Sequence, residues 1–152
     1  MEAEVQGYLT EFNILKGQIR EAIKGLNDEA ANWVPLPKDT NSIYAILCHL
    51  VGSENFWIRQ MIAGENVDRD REAEFHATGH LSEIVNRFEE IAKVSEGILK
   101  NLNSSQLGEP RSLADYPERE NISVRWCILH LISHYAIHLG HIQLTRQLWE
   151  QR

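Results

Sequence analysis

This sequence predicts an all-α chain folded as a four-helix bundle, on three observations. Apolar residues recur at alternating steps of three and four in four separate segments, the period of a helix with one buried face. Stretches rich in turn-forming residues separate those segments. Nothing in the chain reads clearly as a strand. At 152 residues the chain suits one domain, 1–152, with one sizeable core.

Segment one covers about 3–25, with Val5, Tyr8, Phe12, Leu15, Ile19 and Ala22 on one face. Gly25 stands where a helix-ending glycine belongs, and Pro35 and Pro37 keep the connection after it extended. Segment two covers about 41–63. Asp39, Thr40, Asn41 and Ser42 offer N-caps, Ile43, Ile46, Leu50, Ser53 and Trp57 form the stripe, and His49 sits on its flank. The stretch "GENVDRDREAEFHATGH" is charged and aperiodic and reads as a solvated loop. Segment three, about 80–102, carries Leu81, Ile84, Phe88, Ile91, Ser95, Ile98 and Leu102. A turn-rich loop with Pro110 and Pro117 follows. Segment four, about 121–150, steps through Val124, Cys127, Leu131, His134, His138, His141, Thr145 and Leu148. Three histidines thus take inward positions. Connections of more than a dozen residues leave the bundle free to depart from up-down-up-down order.

The formal net charge is −7 and no Lys/Arg-rich run exists, which speaks against nucleic acid or an anionic membrane as partner. The N-terminus is acidic and lacks a signal-peptide pattern. Cys48 and Cys127 have no C-x-x-C spacing, which fits buried thiols in a reducing cytoplasm. Residues 126–145 contain no Asp, Glu, Lys or Arg, long enough to consider as a membrane span. Four histidines, Ser133, Gln143 and Thr145 make that span a poor one.

That uncharged stretch holds His130, His134, His138 and His141, four of the seven histidines. Imidazole is a costly core filler, because both ring nitrogens need partners and like charges repel in a low dielectric. A metal ion relieves this by taking one neutral nitrogen from each ring. Residues four apart on a helix lie about 5–6 Å apart on one face, so His134 and His138 can converge on one ion, at about 2.0–2.1 Å from each nitrogen. His138 and His141, three apart, can do the same. A third ligand must come from another helix, and His49 is the histidine within the other three helical segments. Zinc, nickel, iron(II) and manganese all accept three imidazoles. His130, one turn before His134, reads as a flank residue or a donor behind the ligands. His76 and His80 fall in or beside the charged loop and read as exposed. Cys127 lies about 10 Å along the axis from His134, too far to share the ion. Trp33, Trp57, Trp126 and Trp149 read as core or dimer contacts.

Together, "NSIYAILCHLVGSENFWI" and "SVRWCILHLISHYAIHLGHIQLTRQLW" resemble the DinB-like superfamily of bacterial metalloenzymes, with "LNDEAANWVP" matching the usual opening. The ending His138-Leu139-Gly140-His141 is similar to a branch with H-x-G-H. The resemblance covers nearly the whole chain. It implies a four-helix bundle, a metal triad of His49, His134 and His138, and often a homodimer. Some relatives carry Glu at the position of His134, and many end in His-Arg-Gly-Gln, so His141 either joins the metal shell or supports it. Members include thiol-dependent transferases and isomerases using bacillithiol, mycothiol or glutathione, and metal-dependent hydrolases.

The leading expectation is therefore a metal-dependent enzyme acting on a small molecule. Either water or a low-molecular-weight thiol cosubstrate takes the open position on the ion. Glu54 either borders the cavity or faces solvent. Arg125 and Arg146 bracket the uncharged stretch as substrate-carboxylate contacts or as helix-end salt bridges. The alternatives are a non-catalytic metal- or ligand-binding bundle, closed by His141 as fourth ligand, and a metal-free bundle with hydrogen-bonded histidines.

Overall fold

In three of the four segments the apolar stripe becomes the buried side of a helix. The structure is a computed structural model that describes residues 1–113 and 121–152; Pro117 lies outside the described residues. Helix α1 (Ala3–Ile23) buries Val5, Leu9, Phe12, Leu15, Ile19 and Ile23, and also Lys16. It stops before Gly25, whose φ of 77° suits a residue without Cβ. A short helix, α2 (Asp28–Asn32), interrupts the connection expected to be extended; the Asn27 side chain accepts the Ala30 N–H to start it.

Helix α3 (Ile43–Glu54) begins at Ser42, whose hydroxyl accepts the Ala45 N–H. It then passes without a break into a π-helix, Asn55–Ile62. Segment two is therefore helical as expected but changes its winding. The Ala63 N–H bonds to the Ile58 carbonyl five residues back, and this wider turn rotates the following side chains relative to an α-helix. Arg111 caps the far end, donating to the carbonyls of Met61 and Ile62.

Short helix α4 (Arg71–Glu74) forms where the sequence suggested a solvated loop. Helix α5 (Leu81–Lys100) buries Ile84, Phe88, Ile91, Ser95 and Leu99. Asp28 of α2 accepts its first N–H, from Leu81, and also contacts His80. A capped turn, α6 (Ser104–Leu107), follows. Two-residue strands β1 (Pro110–Arg111) and β2 (Ile122–Ser123) pair antiparallel. Helix α7 (Val124–Gln151) starts at Ser123, which accepts the Trp126 N–H.

The contacts fix the order of the bundle. Helices α1 and α7 run side by side in the same direction: Glu4 meets Arg125 near one end, and Arg146 binds the carbonyls of Ala22 and Lys24 near the other. Helix α3 runs against α7, since His49 meets His134 while Trp57 meets Trp126. Helix α5 runs against α1, with Arg20 on Glu89 and Glu2 on Ser104 just past its end. The four long helices thus run up, down, down, up. Among the described residues no helix is long and apolar enough to cross a membrane.

The stripe of α7 differs from the expected one. Val124, Cys127, Leu131 and Thr145 are buried as expected, but between the last two the core positions are Tyr135, Leu139 and Ile142. His134 and His138 are half-buried on the adjoining flank, and His141 and Leu148 are exposed. Steps of three and four from Leu131 reach residue 134 or 135 equally well. The aromatic ring of Tyr135 wins the core, packed edge-on to Phe12 at 4.8 Å.

Candidate metal centre

The antiparallel crossing of α3 and α7 sets His49 opposite His134 and His138. The Nε2 atoms of His49 and His134 are 2.9 Å apart, and those of His134 and His138 are 3.1 Å apart. These three residues form a group able to hold a metal ion. Two nitrogens about 2.0–2.1 Å from one ion, separated by about 90–110°, lie about 2.8–3.4 Å from each other, so these two spacings suit a shared ion, and all three donor atoms lie within 4.8 Å of one another.

Proton accounting points the same way. The other nitrogen of His49, Nδ1, is 2.8 Å from the Glu74 carboxylate. An ionised carboxylate only accepts, so Nδ1 carries the proton and Nε2 of His49 presents a lone pair. A proton on His134 Nε2 serves that lone pair alone. It leaves His134 Nδ1 as a buried nitrogen without a hydrogen-bond partner, and His138 facing a proton already given away. A proton on His138 Nε2 instead opposes the His49 and His134 lone pairs at 2.9 Å. Extra protonation is disfavoured: burial, then the neighbouring imidazoles, depress His134 to about 3, and burial, then His49, depresses His138 to about 4. A cation accepts three lone pairs at once, which hydrogen bonds among these rings cannot do.

Behind His49 stands a support the sequence did not reveal. Glu74, at the end of α4, is gripped by Arg69 at 2.6 and 2.9 Å, and Arg69 also donates to the Ser53 hydroxyl at 3.1 Å. Burial works against the Glu74 charge, but the bonds from Arg69 and His49 outweigh it and hold the carboxyl below its usual value. A carboxylate on the outer nitrogen of a ligating histidine fixes ring orientation and raises basicity. Gly52 makes room: a Cβ there would lie 1.9 Å from Glu74 Oε1. Phe75 covers the His49 ring at 4.7 Å between centroids. One signal in "GENVDRDREAEFHATGH" could have exposed this. Phe75 is its lone aromatic, just after an Asp70 N-cap whose side chain accepts the Ala73 N–H.

His49 and His134 form part of the wall of a cavity of about 860 Å³. Its apolar side comprises Phe56, Trp57, Met61 and Leu113, and its polar side Gln60, Arg71, Ser112 and His130. His130 stacks on Trp126 at 4.7 Å and lies parallel to His134 at 6.2 Å. The π-helix supplies four of these wall residues.

The remaining sequence-derived positions fall as follows. His141 turns its Nδ1 to His138 Nδ1 at 3.3 Å, behind His138 rather than at the focus of Nε2 atoms. Glu54 neither lines the cavity nor faces solvent. It is 0% exposed, bonded to Lys16 and Tyr135, on the same face of α3 as Ile43, Leu47 and Leu50. Arg125 pairs with Glu4, and Arg146 with Glu150 and two carbonyls; both stand outside the cavity wall as helix-end contacts. His76 and His80 are exposed. Cys48 and Cys127 are free and buried, and burial pushes the Cys127 thiol up to about 11.

With the geometry in place, three comparisons bear on it. The sequence profile of the mycothiol-S-transferase family matches residues 9–151, so the chain belongs to this DinB-like family. Two solved structures share its fold. One is a conserved protein from Enterococcus faecalis, with 14% identity, TM-score 0.77, and 100% of this chain and 99% of that chain covered. The other is YfiT from Bacillus subtilis, described as a probable metal-dependent hydrolase with an unusual four-helix bundle topology, with 16% identity, TM-score 0.77, and 97% and 89% covered. No curated protein matches the sequence significantly.

Proposed function

We propose that this protein is a divalent-metal-dependent S-transferase that joins a low-molecular-weight thiol to a small electrophile. The observation that carries the reading is the focus of three Nε2 atoms at a cavity wall, with His141 turned away from it. Zinc, nickel, iron(II) or manganese suits that donor set. The family match favours a thiol over water as the nucleophile.

When bound, the ion supplies Lewis acidity, which favours the ionised form of a thiol at neutral pH. The chain's residues do the rest. Glu74 and Arg69 hold His49 in one orientation, and His141 backs His138. Phe56, Trp57 and Leu113 shield the nucleophile from water, while Gln60, Ser112 and Arg71 offer polar contacts to the substrates. His130, on the same wall, is placed to take the thiol proton. The sulfur then attacks the electrophilic carbon, and the leaving group departs with its bonding electrons.

The assay is metal-loaded protein with mycothiol, bacillithiol or glutathione and a haloalkyl electrophile. Thiol-dependent conjugate formation, lost in His134→Ala, is expected. Turnover indifferent to thiol contradicts the transferase and makes the site hydrolytic.

The protein is also proposed to act in the cytoplasm, where such thiols stay reduced, and as a homodimer. Support for the dimer comes from the outer face of α7. There Leu129, Ile137, Leu144 and Leu148 are exposed on a helix without a charge from 126 to 145. Light scattering should give twice the chain mass, falling to one chain for Ile137→Glu; a monomeric wild type contradicts it.

A further inference from the structure

One residue beyond His134 on α7, and five beyond His49 on α3, lies a second polar cluster that the proposed chemistry does not use. Lys16 Nζ of α1 is 2.6 Å from Glu54 Oε1, and the Tyr135 hydroxyl donates to Glu54 Oε2 at 2.5 Å. Lys16, Glu54 and Tyr135 are 1%, 0% and 0% exposed. The ammonium also sits 3.8 Å over the Phe12 ring, whose edge meets Tyr135. Three helices are thus tied at one point by directional bonds in an otherwise apolar core.

Its position matters more than its existence. Tyr135 follows His134 on α7. Glu54 follows Ser53 on α3, and Ser53 accepts the bond from the Arg69 that grips Glu74. His134 and Tyr135 have adjacent Cα atoms, about 3.8 Å apart, and His49 and Glu54 stand about 7.5 Å apart on one rigid helix, so a slide or roll of α7 against α3 moves both clusters together. Apolar packing of Leu and Ile tolerates small slides. A short bond between a phenol and a buried carboxylate does not, and a ligand set needs its groups held within about 0.5 Å.

We propose that Tyr135, through its hydrogen bond to an acceptor at Glu54, is a positioning residue that sets the distance between His134 and His49. The inference rests on the metal reading, and its test separates the two. Cobalt(II) is titrated into wild type, Tyr135→Phe, Lys16→Met/Glu54→Gln and the distant core variant Leu99→Ala, following the visible spectrum and the affinity.

Tyr135→Phe is expected to shift the spectrum and weaken cobalt about 10-fold or more. Leu99→Ala should leave both unchanged, though it destabilises the fold. The double variant keeps a neutral acceptor for the phenol and should retain the wild-type spectrum. An unshifted Tyr135→Phe spectrum overturns the proposal. So does a double variant that shifts equally, because any core disturbance would then suffice. If wild type binds no cobalt, the metal reading fails. Ring nitrogen resonances of His49, His134 and His138 in the metal-free protein then decide: doubling or broadening in Tyr135→Phe supports positioning, and unchanged resonances refute it.

Discussion

The α3–α7 contact carries two polar clusters, one residue apart on α7 and five apart on α3, and they differ in how they are satisfied. In Lys16–Glu54–Tyr135, charges are matched, both carboxylate oxygens accept a short bond, and almost nothing is exposed. In His49–His134–His138, three lone-pair-bearing nitrogens face each other, one further nitrogen is unpartnered, and one side opens on a cavity. A polar group buried for architecture closes its own hydrogen bonds. Lone pairs that converge without closing are the pattern a bound cation would complete. The same two helices do both.

Breaking the closed cluster should have the largest effect on stability. Lys16→Met strands the Glu54 carboxylate in the core and should cost about 3–5 kcal/mol in urea unfolding. A loss under about 1 kcal/mol would mean that the pair is not the anchor described.

Gly52→Ala sharpens the contrast from the other side. The added Cβ collides with Glu74, which Arg69 and His49 already clamp. Metal affinity should fall about 10–100-fold, while the helix itself gains propensity of about 1 kcal/mol. Competition with a chelator measures the first and thermal melting the second. Equal affinities would remove Glu74 from the metal account.

Acid should find the open cluster. Unfolded, His134 and His138 protonate near 6.5; folded, near 3 and 4. The unfolded chain binds more protons across that window, so the metal-free protein loses stability as pH falls below about 6.5 and is flat above about 7. The slope should stay below about 1.4 kcal/mol per pH unit for each ring, since the cavity admits solvent. Urea midpoints from pH 8 to 5 give the curve, and a double alanine variant at 134 and 138 should flatten it. Smallest of all, Arg125→Ala and Arg146→Ala should each shift stability by no more than about 1 kcal/mol and leave kcat/KM unchanged, as surface contacts would.

How legible these clusters are in the sequence follows from their geometry. The four long helices announce themselves because a 3.6-residue period repeats over three turns or more. His49, His134 and His138 stand out as polar residues in apolar runs, at ligand spacing and in a family pattern. Their supports do not. Glu74 lies in a charged, aperiodic stretch where nothing distinguishes a buried carboxylate from a solvated one. Lys16 is next to Leu15 of the apolar stripe, but its burial depends on Glu54, 38 residues away. Glu54 falls in step with Ile43, Leu47 and Leu50, all 0% exposed, but a carboxylate at the end of that face reads as solvated until its partners Lys16 and Tyr135 are known. Tyr135 competes with His134 for one core position, and only tertiary packing resolves the tie.

The central claim is that the converging imidazoles hold one metal ion, and plasma mass spectrometry of the untagged protein tests it most directly. The account predicts about one zinc, nickel, iron or manganese per chain, absent from His49→Ala and His134→Ala variants that still fold. Wild type devoid of metal after loading with each of the four ions would contradict it, and would make the cluster a hydrogen-bonded core whose buried nitrogen has another explanation.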